Sequence, residues 1–132
     1  MGDYMQPFSV VAGPFAVTAP TTGGFKIWCF KAERAGTVVT ARTSVRTAIG
    51  AGTIKAELLN YGTAGTATPG TVFSHGTATA WSASVAAAET IVTAALASGD
   101  QLALLIKGDG TLDIVDFACQ FDMVYGNPAA AG

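Results

Sequence analysis

The chain has 132 residues, the size of a single domain whose core buries about two-thirds of the unfolded surface. Charged residues make up 12% of the chain, about half the ~25% of a typical soluble domain, and the net charge is −2. The chain has no excess of basic residues that would attract nucleic acid. No apolar run approaches the ~20 residues of a membrane span, and the N-terminus does not resemble a secretory signal. We therefore expect neither nucleic acid nor a membrane as a partner.

The N-terminal residues 1–24 are predicted to form an extended arm. Within them, residues 8–18 are extended but interrupted by Gly13-Pro14, and a proline there indicates an edge strand or an arm outside the sheet. The next strand, residues 25–31, is apolar on both faces, which suggests that it contacts more than the core.

Two half-buried strands follow, because apolar and polar residues alternate with period two. In residues 37–47 and 53–61 the inward positions are predicted to be Val39, Ala41, Thr43, Val45, Ile54, Ala56 and Leu58.

The second half of the chain continues with strands over residues 71–81, 90–96, 101–107 and 112–125. Residues 82–89 are predicted to be a connection of small residues. The Asp-Gly pair in residues 108–111 predicts a hairpin turn, and the last strand is expected to turn Val115, Phe117, Cys119, Phe121 and Met123 to one face.

Helix signals are nearly absent. The pattern predicts an all-β fold: an antiparallel β-sandwich of about eight strands, jelly-roll-like, with an extended N-terminal arm. The predicted division is residues 1–24 for the arm and 25–132 for the sandwich.

No catalytic constellation is visible, so we expect no enzyme activity and no catalytic residue. The only histidine, His75, could serve a Ser-His-Asp triad with Asp109, Asp113 or Asp116, but no partner is near in sequence, and an exposed, idle side chain is expected. The three glutamates, Glu33, Glu57 and Glu89, are expected to be solvated.

Metal ligands and cofactor motifs are also lacking. Cys29, His75 and Cys119 are far apart in sequence, and the aspartates at 109, 113 and 116 lack the spacing of a calcium loop. We expect no metal and no cofactor. The cysteines are expected to be reduced core thiols, with a disulfide as the alternative if their strands are neighbours.

Three aromatic residues could stack on a sugar: Trp28, Tyr61 and Trp81. Trp28 lies in a dense apolar strand and is assigned to the core or to an interface. Trp81 and Tyr61 are the candidate glycan-binding residues, although a core or interface position is favoured for them too.

From Ala35 onward the chain resembles the capsid decoration (cement) proteins of tailed bacteriophages that have a jelly-roll fold. The resemblance covers about two-thirds of the chain and is carried by ERAGTVVTARTSVRTAIGAGTIKAELLN and ALASGDQLALLIKGDGTLD. These segments share a Gly-Asp turn before an apolar strand, threonine-rich alternation and few charges.

The resemblance implies a structural virion protein that binds the outside of a phage head, bridges subunits of the major capsid protein and forms a homo-oligomer, with a trimer favoured. Assembly would take place in the host cytoplasm. The apolar residues of the arm and of the next strand are the candidate contacts with the capsid or a neighbouring subunit: Tyr4, Met5, Phe8, Phe15, Trp28 and Phe30.

Two other functions stay open. One is a receptor- or carbohydrate-binding head of a phage fibre or cell-surface system, which would use Tyr61, Trp81 and the loop at residues 62–70. The other is a small hydrolase with His75 as its only candidate base.

Overall fold

The computed structural model describes residues 7–65 and 68–126. These residues contain no helix, and therefore no helix that could cross a membrane. They form nine strands: β1 (Pro7–Val17), β2 (Phe25–Lys31), β3 (Gly36–Ser44), β4 (Lys55–Asn60), β5 (Gly70–His75), β6 (Ala87–Glu89), β7 (Ala95–Leu96), β8 (Gln101–Lys107) and β9 (Ile114–Tyr125).

The strands pair into two antiparallel sheets. The first has the order β1-β9-β3-β6, with the two-residue β7 also paired to β3, and the second has the order β2-β8-β4-β5. Successive strands of the chain alternate between the two sheets, with two exceptions. β5 follows β4 within the second sheet, and β7 follows β6 within the first. This is the connectivity of a jelly roll, in which eight strands form two Greek keys. The predicted jelly-roll-like sandwich of about eight strands is confirmed.

The core lies between the sheets and is built from the inward positions of both. The inward assignment from sequence is confirmed for Ala41 and Thr43 on β3 and for Ala56 and Leu58 on β4. It is also confirmed for Val45, which directly follows β3, and for Ile54, which directly precedes β4. The largest fully buried side chains are Trp81, Phe73, Phe117 and Phe121.

Two valines assigned to the core point to solvent. A bulge in the pairing of β3 with β9 lies between Val38 and Thr40, so Val38 takes the inward place and Val39 is 53% exposed. In β9 the left-handed backbone of Asp116 breaks the alternation, and Val115 is exposed while Ile114 is buried.

The predicted hairpin at residues 108–111 is wrong. Gly110 does adopt positive φ, but β8 belongs to the second sheet and β9 to the first. The turn therefore carries the chain across the sandwich, because in this connectivity adjacent strands in sequence need not be neighbours in a sheet.

The described part of the predicted arm is an edge strand, which was one of the two alternatives for it. β1 pairs along its length with β9, with register shifts around Gly13-Pro14, and turns Phe8, Val10 and Phe15 against the core. Pro7–Val17 thus belongs to the first sheet, and residues 1–6 lie outside the described residues.

Candidate partner-binding surfaces

A buried polar cluster lies at one end of the core and contains the only histidine. His75 ends β5, Glu89 ends β6 and Thr43 lies on β3, so three strands from both sheets contribute. The His75 Nδ1 atom lies 2.7 Å from Glu89 Oε2, and its Nε2 atom lies 2.9 Å from the carbonyl oxygen of Thr79. Thr43 Oγ1 donates to Glu89 Oε2 at 2.6 Å and accepts from Trp81 Nε1 at 2.8 Å.

The cluster corrects the expectation that His75 and Glu89 are exposed and idle. His75 is 3% exposed, its ring stacks on Trp81 with centroids 3.6 Å apart, and the Glu89 side chain is also buried. Both imidazole nitrogens lie within hydrogen-bond distance of an oxygen atom. The ring is used in holding the sheets together, so it has no free nitrogen with which to act as a base.

The two candidate glycan-binding residues are also buried. Trp81 is 2% exposed, because residues after His75 leave the sheet and turn its indole into the core, where its backbone pairs with Ile49. Tyr61 is 6% exposed and packs edge-on against Trp28. Neither ring presents an open face on which a sugar could stack.

The cysteines are free thiols, as expected, and lie on inward positions of opposite sheets. Burial raises the pKa of Cys29 to about 12, and burial together with the charges of Cys29 and Glu89 raises the pKa of Cys119 as well. Both therefore stay protonated near neutral pH and are poor nucleophiles and metal ligands.

The aspartates of the second half have separate structural roles. Asp109 accepts hydrogen bonds from Thr111 within its turn, Asp113 accepts one from the backbone of Ala19, and Asp116 pairs with Arg46 at 3.1 Å. The described residues contain no cluster of metal-ligating side chains.

The predicted contact residues fall into three groups. Tyr4 and Met5 lie outside the described residues. The rings of Phe8, Phe15 and Phe30 point inward and are half-buried. Phe30 packs edge-on against Phe121 at 5.7 Å, and Phe15 lies 5.7 Å from Phe117. Trp28 alone of those described points away from the core and is 52% exposed.

Trp28 lies on an apolar patch on the outer face of the second sheet, named here the tryptophan face. Its buried floor is formed by Leu59, Tyr61 and Ala103, with Leu105 packed against them. The ammonium group of Lys26 lies over it, 4.4 Å from the Tyr61 ring centre and 5.3 Å from that of Trp28. The tryptophan face comprises Lys26, Trp28, Leu59, Tyr61, Ala103 and Leu105.

Lysines surround the tryptophan face. All four lysines of the chain lie on strands of the second sheet: Lys26, Lys31, Lys55 and Lys107. One carboxylate, Glu57, shares these strands and lies 3.6 Å from Lys55. The formal charge of this sheet is therefore 4 − 1 = +3, which leaves −5 for the rest of a chain whose net charge is −2.

The outer face of the first sheet has a different character. Asp122 accepts hydrogen bonds from Ser9 and Thr40 and lies 3.8 Å from Arg42, and these contacts hold its pKa below the usual range. A shallow cavity of about 370 Å³ is lined by Pro7, Phe8, Ser9, Val39, Thr40, Arg42 and Asp122. Beside this polar row, Val11 is 62% exposed, so this outer face also presents large apolar side chains to solvent.

The strand order and these two surfaces define the class of the protein as a jelly-roll β-sandwich with exposed apolar side chains on each outer sheet face. No protein-family model matches the chain, and no curated protein is significantly similar to it.

Solved structures of infectious bursal disease virus are similar to the chain at a low level. The Gt strain has a TM-score of 0.49 and 12% identity over 96% of this chain, and the Gx strain has 0.49 and 10% over 96%. A mutant VP2 protein of that virus has 0.48 and 12% over 95%. The chain spans about a third of the length of these structures, with 35%, 34% and 33% covered. The fold assignment rests on the strand order and not on similarity of this degree.

Proposed function

We propose that the chain is a structural protein of a virus particle, specifically a decoration protein that binds the outside of a phage head and bridges subunits of the major capsid protein. The observation that carries the proposal is the presence of exposed apolar side chains on both outer faces of one sandwich. Val11 and Val39 lie on the first sheet and Trp28 lies on the second. A bridging protein needs two separate contact surfaces on a rigid body, and opposite sheet faces supply them.

The fold and the composition support the same role. Jelly rolls are frequent in viral capsid domains, although lectin domains and cupins share them. The low content of charged residues reduces the desolvation cost of covering much of the surface. The only histidine is held in the interior cluster, which supports binding in preference to catalysis.

The proposal includes a homo-oligomer, with a trimer favoured, located on the capsid exterior. The net charge of −2 leaves little repulsion between copies. Sedimentation equilibrium of the purified chain measures its oligomeric state directly, and a monomer at high concentration would contradict the trimer.

The proposed role is tested with heads of the virus that encodes the chain, stripped of their surface proteins. The full chain should co-sediment with the heads and raise the temperature at which they rupture. Trp28→Ser and the double variant Val11→Ser with Val39→Ser should each reduce the rise in rupture temperature, since each removes one contact surface.

The matched control is Val92→Ser. Val92 is also strongly exposed, but it lies in the connection between β6 and β7 and away from the outer sheet faces. This variant should protect heads as the parent does. A full chain that does not sediment with heads would contradict the proposal, as would face variants that protect them fully.

A further inference from the structure

Within the described residues, the second sheet has one open edge. At one side of the sheet, the edge strand β5 is partly covered, because Phe73 bridges to Ile91 and Val72 accepts a hydrogen bond from the Val92 amide. At the other side β2 pairs with β8 and, among the described residues, with no further strand. The backbone amide and carbonyl groups on the outer side of β2 are therefore available to an added strand.

Side chains on both sides of β2 favour such an addition. Trp28 projects from the outer face of the sheet, and Phe25, on the core side of the same strand, is 46% exposed at its end. An added strand would lie beside both rings and bury them, because its own side chains alternate between the same two sides.

The lysines indicate the charge of that strand. Lysine on an edge strand commonly serves to prevent edge-to-edge aggregation, and this explains Lys26 and Lys31. It does not explain Lys55 and Lys107, which lie on interior strands of the sheet, or the exposed ring of Trp28 between the edge lysines. A charge of +3 around an apolar patch complements an acidic partner.

A second copy of the chain fits this surface poorly. Antiparallel pairing of two β2 strands would bring the lysines of both copies to one continuous face. The outer face of the first sheet offers no compensating charge, since Asp122 lies beside Arg42 and Asp116 is paired with Arg46.

We infer that the open edge of β2 together with the tryptophan face binds an extended acidic segment of a partner protein, which joins the second sheet as a fifth strand. Acidic side chains of the segment lie toward the lysines on the outer face, and apolar ones lie toward Phe25 and the rim of the core. The inference does not depend on whether the partner belongs to a virus particle.

The two tryptophans provide the measurement. Trp28 is half-exposed and Trp81 is buried, so acrylamide quenching of the folded chain reports on Trp28. The probe is a ten-residue peptide of alternating Glu and Val. It should shift the emission of Trp28 to the blue and protect it from quenching, whereas a Lys-Val peptide should do neither.

Two comparisons separate strand addition from simpler binding. A Glu-Val peptide with N-methylated amides on one edge should bind at least tenfold more weakly, because it cannot complete the hydrogen-bond ladder. Lys26→Glu should weaken binding of the unmodified peptide by about tenfold. Arg46→Glu, the same charge change on a side chain paired with Asp116, should leave it within about twofold of the parent.

Three results would overturn the inference. The first is an absence of protection at millimolar peptide. The second is equal binding of the methylated peptide, which would mean contact with the face and no added strand. The third is tighter binding of single-stranded oligothymidylate than of the peptide, which would indicate a site for polyanions. The emission that acrylamide does not quench comes from the buried Trp81, and it should be unchanged in each folded variant.

Discussion

Single buried polar side chains hold the two sheets together at one end of the sandwich. His75 comes from the second sheet, and Glu89 and Thr43 come from the first. Both nitrogens of His75, Oε2 of Glu89 and Oγ1 of Thr43 have hydrogen-bond partners. Removing one partner of such a buried pair leaves the other partner buried without compensation. The stability lost in this way is far larger than the stability that the intact pair adds relative to well-packed apolar side chains.

We predict that Glu89→Ala lowers the free energy of unfolding by about 3–5 kcal/mol, because it leaves His75 and Thr43 buried without their shared acceptor. Urea unfolding followed by fluorescence measures this change, and Trp81 is a built-in probe because it bonds to Thr43. The matched control is Glu33→Ala at an exposed position, for which we expect less than about 0.5 kcal/mol. Equal effects of the two substitutions would show that the buried pair contributes nothing specific.

Individual strands are positioned by close backbone contacts as well as by apolar alternation. β3 begins at Gly36, which is buried beside the end of β9. A Cβ atom at this position would lie 2.6 Å from the carbonyl oxygen of Val124 and 3.0 Å from Met123 Cε. Because Gly36 has no side chain, β3 can approach β9 closely enough to pair with it from its first residue onward.

We predict that Gly36→Ala destabilises the protein by about 1–3 kcal/mol, since the backbone of β9 has to shift to accept a methyl group. Gly50→Ala is the control, because a Cβ atom there has no neighbour within 4 Å and φ is not positive. This control should be neutral or more stable by up to about 1 kcal/mol, as alanine reduces the freedom of the unfolded chain. Thermal unfolding measures the melting temperatures of both variants, and equal melting temperatures would contradict the close contact at Gly36.

In the described residues the main hydrophobic core is shared by both sheets, and β1 closes one side of it. Phe8 and Phe15 on β1 pack against the core, and Phe8 lies 5.0 Å from Tyr125 and 6.4 Å from Phe30. The segment predicted as an arm is thus continuous with the sandwich from Pro7 onward.

We predict that deletion of residues 1–20 strongly destabilises or unfolds the chain, because it exposes the inward side chains of β9 and leaves that strand as a new edge. Deletion of residues 1–6 alone, which leaves β1 intact, is the comparison, and the longer deletion should melt at a clearly lower temperature than this one. Circular dichroism of the two truncated chains tests this. A longer truncation that melts like the parent would mean that β1 is dispensable for the fold.

A feature of the fold could be predicted from the sequence when the residues that produce it are close together along the chain. The strands at residues 25–31 and 101–107 were predicted with their observed bounds, because alternation and turn residues act within a few positions. The hairpin at residues 108–111 was predicted wrongly, since local turn chemistry does not specify which sheet the next strand joins. The roles of His75 and Trp81 were missed because their partners, Glu89 and Thr43, are 14 and 38 positions away.

The sequence by itself determined the all-β class, most strand positions and the apolar character of both faces of the strand at residues 25–31, and it favoured free thiols over a disulfide. These follow from local patterns of side-chain size and polarity. Only the tertiary structure decided that Trp28 is exposed while Trp81 is buried, that β1 belongs to the first sheet, and that the lysines of three strands surround one apolar face. Those features depend on strand order, which arises from packing between residues far apart in the chain.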